Sequence, residues 1–312
     1  MQTTTSAATI TISAPAKLNL SLAVLGRRAD GYHAIESLMV AVSVADTLVL
    51  RASAVPGIHL ALRDGGCGVA DDIPTDDRNL VVRAIRAVAA RAGVEPALAC
   101  DLVKAIPAGA GLGGGSSDAA AAIRGVARLW GLDWPGERLA DIGATVGSDV
   151  PWFFAGGAAI ASGRGEHVES VAGLPALAAV IVWPGTPLST AAVYRAWGEK
   201  NVDTASRTGD ARRLALALAE GRWRDVWPLL HNDLEPPARA LCADVDDALA
   251  ALAEAGAIAP RLTGSGSACF ALTRTYAQAQ TLASRLAARH TPAGEARWSF
   301  VRAVRLPVGG GG

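Results

Sequence analysis

GAGLGGGSSDAAAA, residues 109–122, crowds five glycines into seven positions and then runs through two serines and an aspartate into four alanines. Just upstream, ALACDLVKAI (97–106) has the alternation of a strand, and Pro107 leads it into the glycines. Just downstream, Ser116, Ser117 or Asp118 can cap a helix whose apolar stripe is Ile123, Val126, Ala127 and Trp130. Glycine runs also serve as plain flexible loops. Between a strand and a helix start, however, bare backbone exposes unpaired N–H groups to an anion, and the helix dipole adds partial positive charge. The expected ligand is a phosphate.

Several phosphate folds compete for such a loop. A Walker loop requires GxxxxGK[ST], and here the glycines meet two serines with no lysine. Gly109, Gly111 and Gly114 satisfy GxGxxG, but the dinucleotide version needs a following strand that ends in an acidic residue. In this chain the helix gives way to WGLDWPGERLADIG, which places Asp133 in a turn-like stretch. Neither HRD nor DFG occurs, which removes the protein-kinase reading.

Working outward, Thr9 to about Ser53 reads as strands interrupted by RRADGYH, and residues 64–77 read as a Gly/Asp-rich loop. NLVVRAIRAVAARAG (79–93) has helical spacing, with Gly93 as its stop. In the second half LAAVIVWPG is a buried strand, and AAVYRAWGE, DARRLALALAEG, RDVWPLLHNDL and DVDDALAALAEAG are helical. PRLTGSGSACFALT reads as strand, glycine turn and a second element; YAQAQTLASRLAARH is a helix and WSFVRAVRL a last strand. The series is α+β rather than regular βαβα. With 312 residues, 51% of them hydrophobic, the chain is expected to form two domains, 1–160 and 161–306, followed by a flexible tail at 307–312.

Charge narrows the partners. Lys+Arg and Asp+Glu both number 29, so no global field favours nucleic acid or an anionic membrane. The apolar stretches fall short of the roughly 18 residues of a membrane span, and the first seventeen residues lack a signal-peptide pattern. A cytoplasmic protein is expected. Cys67, Cys100, Cys242 and Cys269 are too scattered for a zinc site and read as buried thiols. Only three lysines occur, Lys17, Lys104 and Lys200. Arginine serves elsewhere as the generic cation, so Lys17 and Lys104, beside Pro- and Gly-marked motifs, carry more information; Lys200 reads as solvated.

PAGAGLGGGSSDAAAA (107–122) resembles the phosphate-binding motif of the GHMP kinases, the family of galactokinase, homoserine kinase and mevalonate kinase. PAKLNLSL (15–22) and LTGSGSACFAL (262–272) match two further family blocks in the expected order. PAKLNLSLAVLGRRADGYHAIESLM (15–39), DDRNLVVRAI (76–85) and GSDVPWFFAGG (147–157) are similar to the branch that phosphorylates a cytidine-diphosphate-linked methylerythritol in the non-mevalonate isoprenoid route. The resemblance implies a two-domain α+β fold, with an N-terminal domain like the second domain of ribosomal protein S5 and a ferredoxin-like C-terminal domain. It also implies ATP and Mg2+ as cofactors, a small-molecule substrate, and a monomer or homodimer.

The residues supply parts for that chemistry. An alcohol is a poor nucleophile, so an oriented carboxylate and a nearby cation both help its phosphorylation. The resemblance assigns these catalytic roles to Asp149 and Lys17. It places Asn79, Leu80 and Lys104 around the adenosine. The phosphates fall to Pro107, Gly109, Ala110, Gly111, Leu112, Gly113, Gly114, Gly115, Ser116 and Ser117, with the Ser117 hydroxyl as a metal ligand. Tyr32 and His33, in DGYH, would meet the cytosine; Asn19 the polyol hydroxyls; Thr190 and Tyr194 the opposite wall. Without the resemblance, Asp149 has the alternative of a local cap, Lys17 and Lys104 of surface charges, and Tyr32–His33 is ordinarily loop packing. Ala110 stands where this branch often carries glycine, so its backbone must be conventional. Another GHMP small-molecule kinase, such as homoserine kinase, and a non-catalytic nucleotide-binding homologue are the alternatives.

Overall fold

The computed structural model describes residues 8–68, 73–198, 207–291 and 293–307; Lys200 and the glycines of the expected tail lie outside the described residues. The chain opens with strands β1 (Thr9–Asn19), β2 (Ser21–Arg27), the long β3 (His33–Ala52) and β4 (Gly57–Asp64). Helix α1 (Leu80–Ala92), strand β5 (Ala97–Lys104), and helices α2 (Gly114–Leu129) and α3 (Gly136–Val146) follow. A 3-10 turn at Pro151–Phe154 leads to β6 (Ala158–Gly163) and β7 (His167–Ser170). The remainder comprises β8 (Leu177–Trp183), α4 (Thr190–Gly198), α5 (Asp210–Ala219), α6 (Trp223–Leu229), β9 (His231–Asn232), α7 (Glu235–Leu241), α8 (Ala243–Glu254), β10 (Arg261–Leu262), β11 (Cys269–Thr273), α9 (Tyr276–Ala287) and β12 (Phe300–Leu306).

Among the described residues the strands form two sheets. In the first, β3 is the hub: it pairs antiparallel with β1, β2, β5 and β6, while β4 joins β5 in parallel. The second sheet is antiparallel in the order β10-β11-β8-β12. Side-chain alternation stacks them. Leu38, Val40 and Val42 of β3 join Ile181 and Trp183 of β8 in the core shared by the two sheets. Met39 and Ala41 face α1 and α2, and Val180 and Val182 face α8 and α9. The layers run helices, sheet, sheet, helices.

One irregularity positions the site. The β1–β3 register shifts between Pro15 and Lys17. Before it, Ile12 and Ala14 point to the helical side; after it, Ala16, Leu18 and Leu20 point to the other core. A shift of this kind exchanges the faces of a strand. Lys17 and Asn19, alternating with those apolar residues, are thereby turned toward the glycine loop.

The sequence pattern leaves β4, α3, β6, β7 and α7 unsignalled: α3 starts from Pro135 within a stretch that reads as a turn. The division expected between 160 and 161 falls inside β6. There β6 hydrogen-bonds to β3 and β7, so the first sheet continues to Ser170. Strand β9 also returns to that sheet by pairing with β2. Gly93 does end α1, at φ 67°. No described helix is long and apolar enough to cross a membrane.

Candidate active site

A cavity of about 1160 Å³ opens between the glycine loop, the β1 segment after the register shift, the turn after α3, and α4. Every residue proposed from sequence for catalysis or binding lines it, with the exception of Ser117. Lys17 is 3% exposed, and its Nζ donates to the Gly111 carbonyl at 2.6 Å and to Asn19 Oδ1 at 2.6 Å. Its backbone N–H donates to the Leu112 carbonyl at 2.9 Å. Burial pushes the ammonium below its ordinary pKa, and the Asp149 carboxylate works against that shift. Asn19 Nδ2 donates to Ser37 Oγ at 2.8 Å, and the Asn19 N–H donates to Thr263 Oγ1 at 3.0 Å. The Asn19 side chain, expected near substrate hydroxyls, is thus engaged in orienting Lys17.

The glycine loop is held from below by the C-terminal half. The Ala268 N–H donates to the Ala110 carbonyl at 3.0 Å. A Cβ on Gly111 would lie 2.3 Å from the Thr263 carbonyl oxygen, so only glycine lets the 109–113 and 263–266 backbones approach this closely. Ala110 needs no left-handed φ: Ala259 is the non-glycine residue with that conformation among the described residues. The expected cap is corrected. Helix α2 begins at Gly114 with Gly113, φ 73°, as its N-cap and no side-chain cap, and Ser116, Ser117 and Asp118 lie inside the first turns. The N–H groups of Gly114, Gly115 and Ser116 therefore have no carbonyl of the preceding helical turn to bond, and these residues line the cavity, an arrangement that can receive an anion.

Ser117 does not line the cavity: its Oγ is buried without a hydrogen-bond partner and the residue is fully covered, while Ser116 stays on the wall.

Lys104 occupies the floor, where its Nζ pairs with Asp46 and, at 2.6 Å, with Asp118. Asp46 also accepts N–H bonds from Ala105 at 2.6 Å and Ile106 at 2.9 Å. Burial opposes the lysine charge, but the two carboxylates outweigh it and hold the ammonium above its ordinary pKa. One lysine cannot neutralise both acids: burial, reinforced by Asp46, pushes the Asp118 carboxyl up. This ionic cluster fastens β5 to the start of α2 and to β3. Asn79 is the N-cap of α1, accepting the Val81 N–H at 2.9 Å and donating to the Pro74 carbonyl at 2.7 Å. Leu80 Cδ1 comes to 3.5 Å from where a Gly115 Cβ would be.

Asp149 is delivered by a tight turn: α3 ends at Gly147, and the Val150 N–H donates back to the Gly147 carbonyl at 3.2 Å. On the cavity wall the His33 ring stacks on Tyr194, with centroids 5.1 Å apart and planes 25° apart, and meets Trp197 edge-on at 5.3 Å. Burial, then the positive Arg27, lowers the His33 pKa, which favours the neutral imidazole. Burial, then the charge of Asp149, raises that of the Tyr194 phenol. Tyr32 stands exposed at the rim, and the Arg164 guanidinium sits 5.3 Å from its ring centroid. Thr190 Oγ1 lies 2.8 Å from Ser265 Oγ, which ties α4 to the 263–266 loop. Ser37, Thr263 and Arg164 were not singled out from sequence. Thr263 lay within a recognised block, whereas Arg164 carried only the faint signal of flanking glycines.

Residues 79–157 match the family described as GHMP kinases N terminal domain, and residues 207–291 match GHMP kinases C terminal. The 4-diphosphocytidyl-2-C-methyl-D-erythritol kinase of Pelotomaculum thermopropionicum is 38% identical over 276 residues, covering 88% of this chain and 93% of that protein. A crystal structure of 4-(cytidine 5'-diphospho)-2C-methyl-D-erythritol kinase superposes with a TM-score of 0.72 at 33% identity, over 96% of this chain and 100% of that one. Homoserine kinase from Cytophaga hutchinsonii reaches a TM-score of 0.74 at 21% identity, covering 99% and 98% of the two chains, a likeness of fold.

Proposed function

The chain belongs to the GHMP kinase family, and we propose that within it the protein transfers the γ-phosphoryl group of ATP to the 2-hydroxyl of 4-diphosphocytidyl-2-C-methyl-D-erythritol. One observation carries the substrate half of this reading: the His33–Tyr194 stack and the uncapped start of α2 line one and the same cavity, with Lys17 and Asp149 also on its walls. A planar base on the first and a triphosphate at the second would bring an alcohol between them.

The proposed roles follow from geometry. The free N–H groups of 114–116 hold phosphate oxygens where negative charge accumulates during transfer. Asp149 accepts the proton of the attacking hydroxyl as its oxygen bonds to phosphorus and ADP leaves. Lys17, fixed by Gly111 and Asn19, sets the field around that carboxylate and offsets charge on the transferring group. Neutral His33 offers one ring nitrogen as donor and one as acceptor to a pyrimidine edge. Mg2+ would accompany ATP, bound chiefly by phosphate oxygens, and would supply further charge neutralisation there. Among the described residues no group of three His, Cys, Asp or Glu could cage it; the Ser117 hydroxyl, which has no hydrogen-bond partner, is the protein oxygen we propose for it. We place the protein in the cytoplasm and divide it after β7 into a nucleotide-binding and a substrate-side domain.

The test is ADP release with Mg-ATP and each of 4-diphosphocytidyl-2-C-methyl-D-erythritol, homoserine and mevalonate. Stimulation by the cytidylated alcohol alone is expected, and Asp149→Asn should lower kcat about 10²- to 10⁴-fold while the KM for ATP changes little. Stimulation by homoserine alone would transfer the substrate assignment to that branch of the family. A full-rate Asp149→Asn enzyme would remove the carboxylate from the chemistry.

A further inference from the structure

The turn between β6 and β7 contributes Arg164 and Gly165 to the cavity wall. Gly163 and Gly165 both take left-handed φ values, 72° and 117°, and the turn is closed by the Gly165 N–H to the Ser162 carbonyl at 3.1 Å. The Arg164 N–H donates to Glu166 Oε2 at 2.5 Å, which fixes the backbone from which the guanidinium projects. That guanidinium rests over the Tyr32 ring and lines the cavity. One residue further on, a Cβ at position 165 would lie 3.6 Å from Asp149 Oδ1. Arg164 therefore belongs to a segment that touches both the rim aromatic and the reacting carboxylate.

Its charge acts on the nearby Asp30 carboxylate without pairing with it. The acids of this corner are taken by Arg28, which pairs with Asp30 at 3.1 Å and reaches Glu166 at 3.8 Å. Among the described residues no carboxylate forms an ion pair with the Arg164 side chain. A positive fork supported on an aromatic face, open to a cavity and not engaged in an ion pair matches a phosphate ester, because the guanidinium can bond two oxygens at once. A substrate whose base sits on the aromatic wall and whose alcohol reaches Asp149 must carry its diphosphate through the space between. We infer that Arg164 binds the diphosphate bridge of the nucleoside-diphosphate substrate and makes the site select a nucleoside diphosphate over the bare nucleoside. The inference rests on the substrate reading proposed above.

The experiment compares cytidine and CDP as inhibitors against the cytidylated alcohol, at saturating Mg-ATP, for wild type, Arg164→Ala and Arg164→Lys. In the wild type CDP should inhibit at about 10- to 100-fold lower concentration than cytidine. Arg164→Ala should abolish most of that ratio by weakening CDP while leaving cytidine inhibition and the KM for ATP within about twofold of wild type. Arg164→Lys should recover part of it, since lysine restores the charge without the fork. An unchanged ratio in Arg164→Ala, or equal weakening of cytidine and CDP, would overturn the inference and leave the arginine as support for Tyr32. If the wild type neither turns over the cytidylated alcohol nor responds to CDP, the substrate reading fails and takes this inference with it. Wild-type turnover combined with an intact ratio in Arg164→Ala sinks the inference alone.

Discussion

Gly111→Ala probes the junction on which the site depends. Gly111 has φ 80°, and an added Cβ would meet the Thr263 carbonyl oxygen at 2.3 Å and the Gly266 nitrogen at 2.9 Å. Holding alanine in that conformation costs about 1–2 kcal/mol. Relieving overlap in a packed region costs about 1–3 kcal/mol more. Both obstructing atoms are backbone, so the glycine loop and the 263–266 loop must part by roughly 1 Å to reach ordinary contact. That motion carries the Gly111 carbonyl, an acceptor for Lys17 Nζ, away from its place. A displacement of this size at a reacting centre can cost about 100-fold in rate. Gly131→Ala is the matched control, with φ 65° and nothing within 4 Å of its added Cβ. Urea unfolding should show a loss of about 2–5 kcal/mol for Gly111→Ala against about 1–2 kcal/mol for Gly131→Ala. Steady-state phosphoryl transfer should be damaged in the first alone. Equal destabilisation by the two substitutions, with kcat intact in both, would refute the idea that close backbone approach, rather than left-handed strain, requires glycine at 111.

Two further outcomes are expected. Lys104→Met leaves Asp46 and Asp118 buried together without their cation, which should destabilise the fold by about 3–5 kcal/mol; a loss below about 1 kcal/mol in chemical denaturation would show that the cluster is not what fastens β5 to α2. Asp64 accepts the N–H groups of Gly66, Cys67 and Gly68, and the Gly66 and Gly68 bonds foremost hold its pKa below the ordinary 3.8. A depressed carboxylate stabilises the fold above its unfolded-state pKa and loses that contribution as pH falls through the lower folded value. Asp64→Asn should therefore be less stable than wild type at neutral pH, with the gap closing below the ordinary 3.8; a gap that persists unchanged at lower pH would contradict the linkage.

The local and the long-range parts of this site were unequally legible. The strand–glycine–helix succession around 109–122 is written in neighbouring residues: alternation, a proline, glycines and an alanine-rich helix former each act over a few positions. For the same reason Gly93 could be read as a helix stop. The helix cap was misread because Ser116, Ser117 and Asp118 are good caps by type, but left-handed Gly113 allows the helix to begin earlier. Sequence pattern likewise could not tell that Asn19 would be occupied by Lys17 and Ser37, or that Ser117 would be covered. Side-chain direction depends on where the helix starts and on what packs beneath it.

The amino-acid order by itself determined the strand–glycine–helix succession, the α+β pattern and the family, because short-range propensities and contiguous motifs suffice for these. Tertiary structure alone decided the register shift that turns Lys17 toward Gly111, the contact of Gly111 with Thr263, the sharing of Lys104 between Asp46 and Asp118, and the placing of Arg164 above Tyr32. Each joins residues that a local pattern does not couple, and each is set by sheet pairing and by the exclusion of overlapping atoms in a close-packed interior.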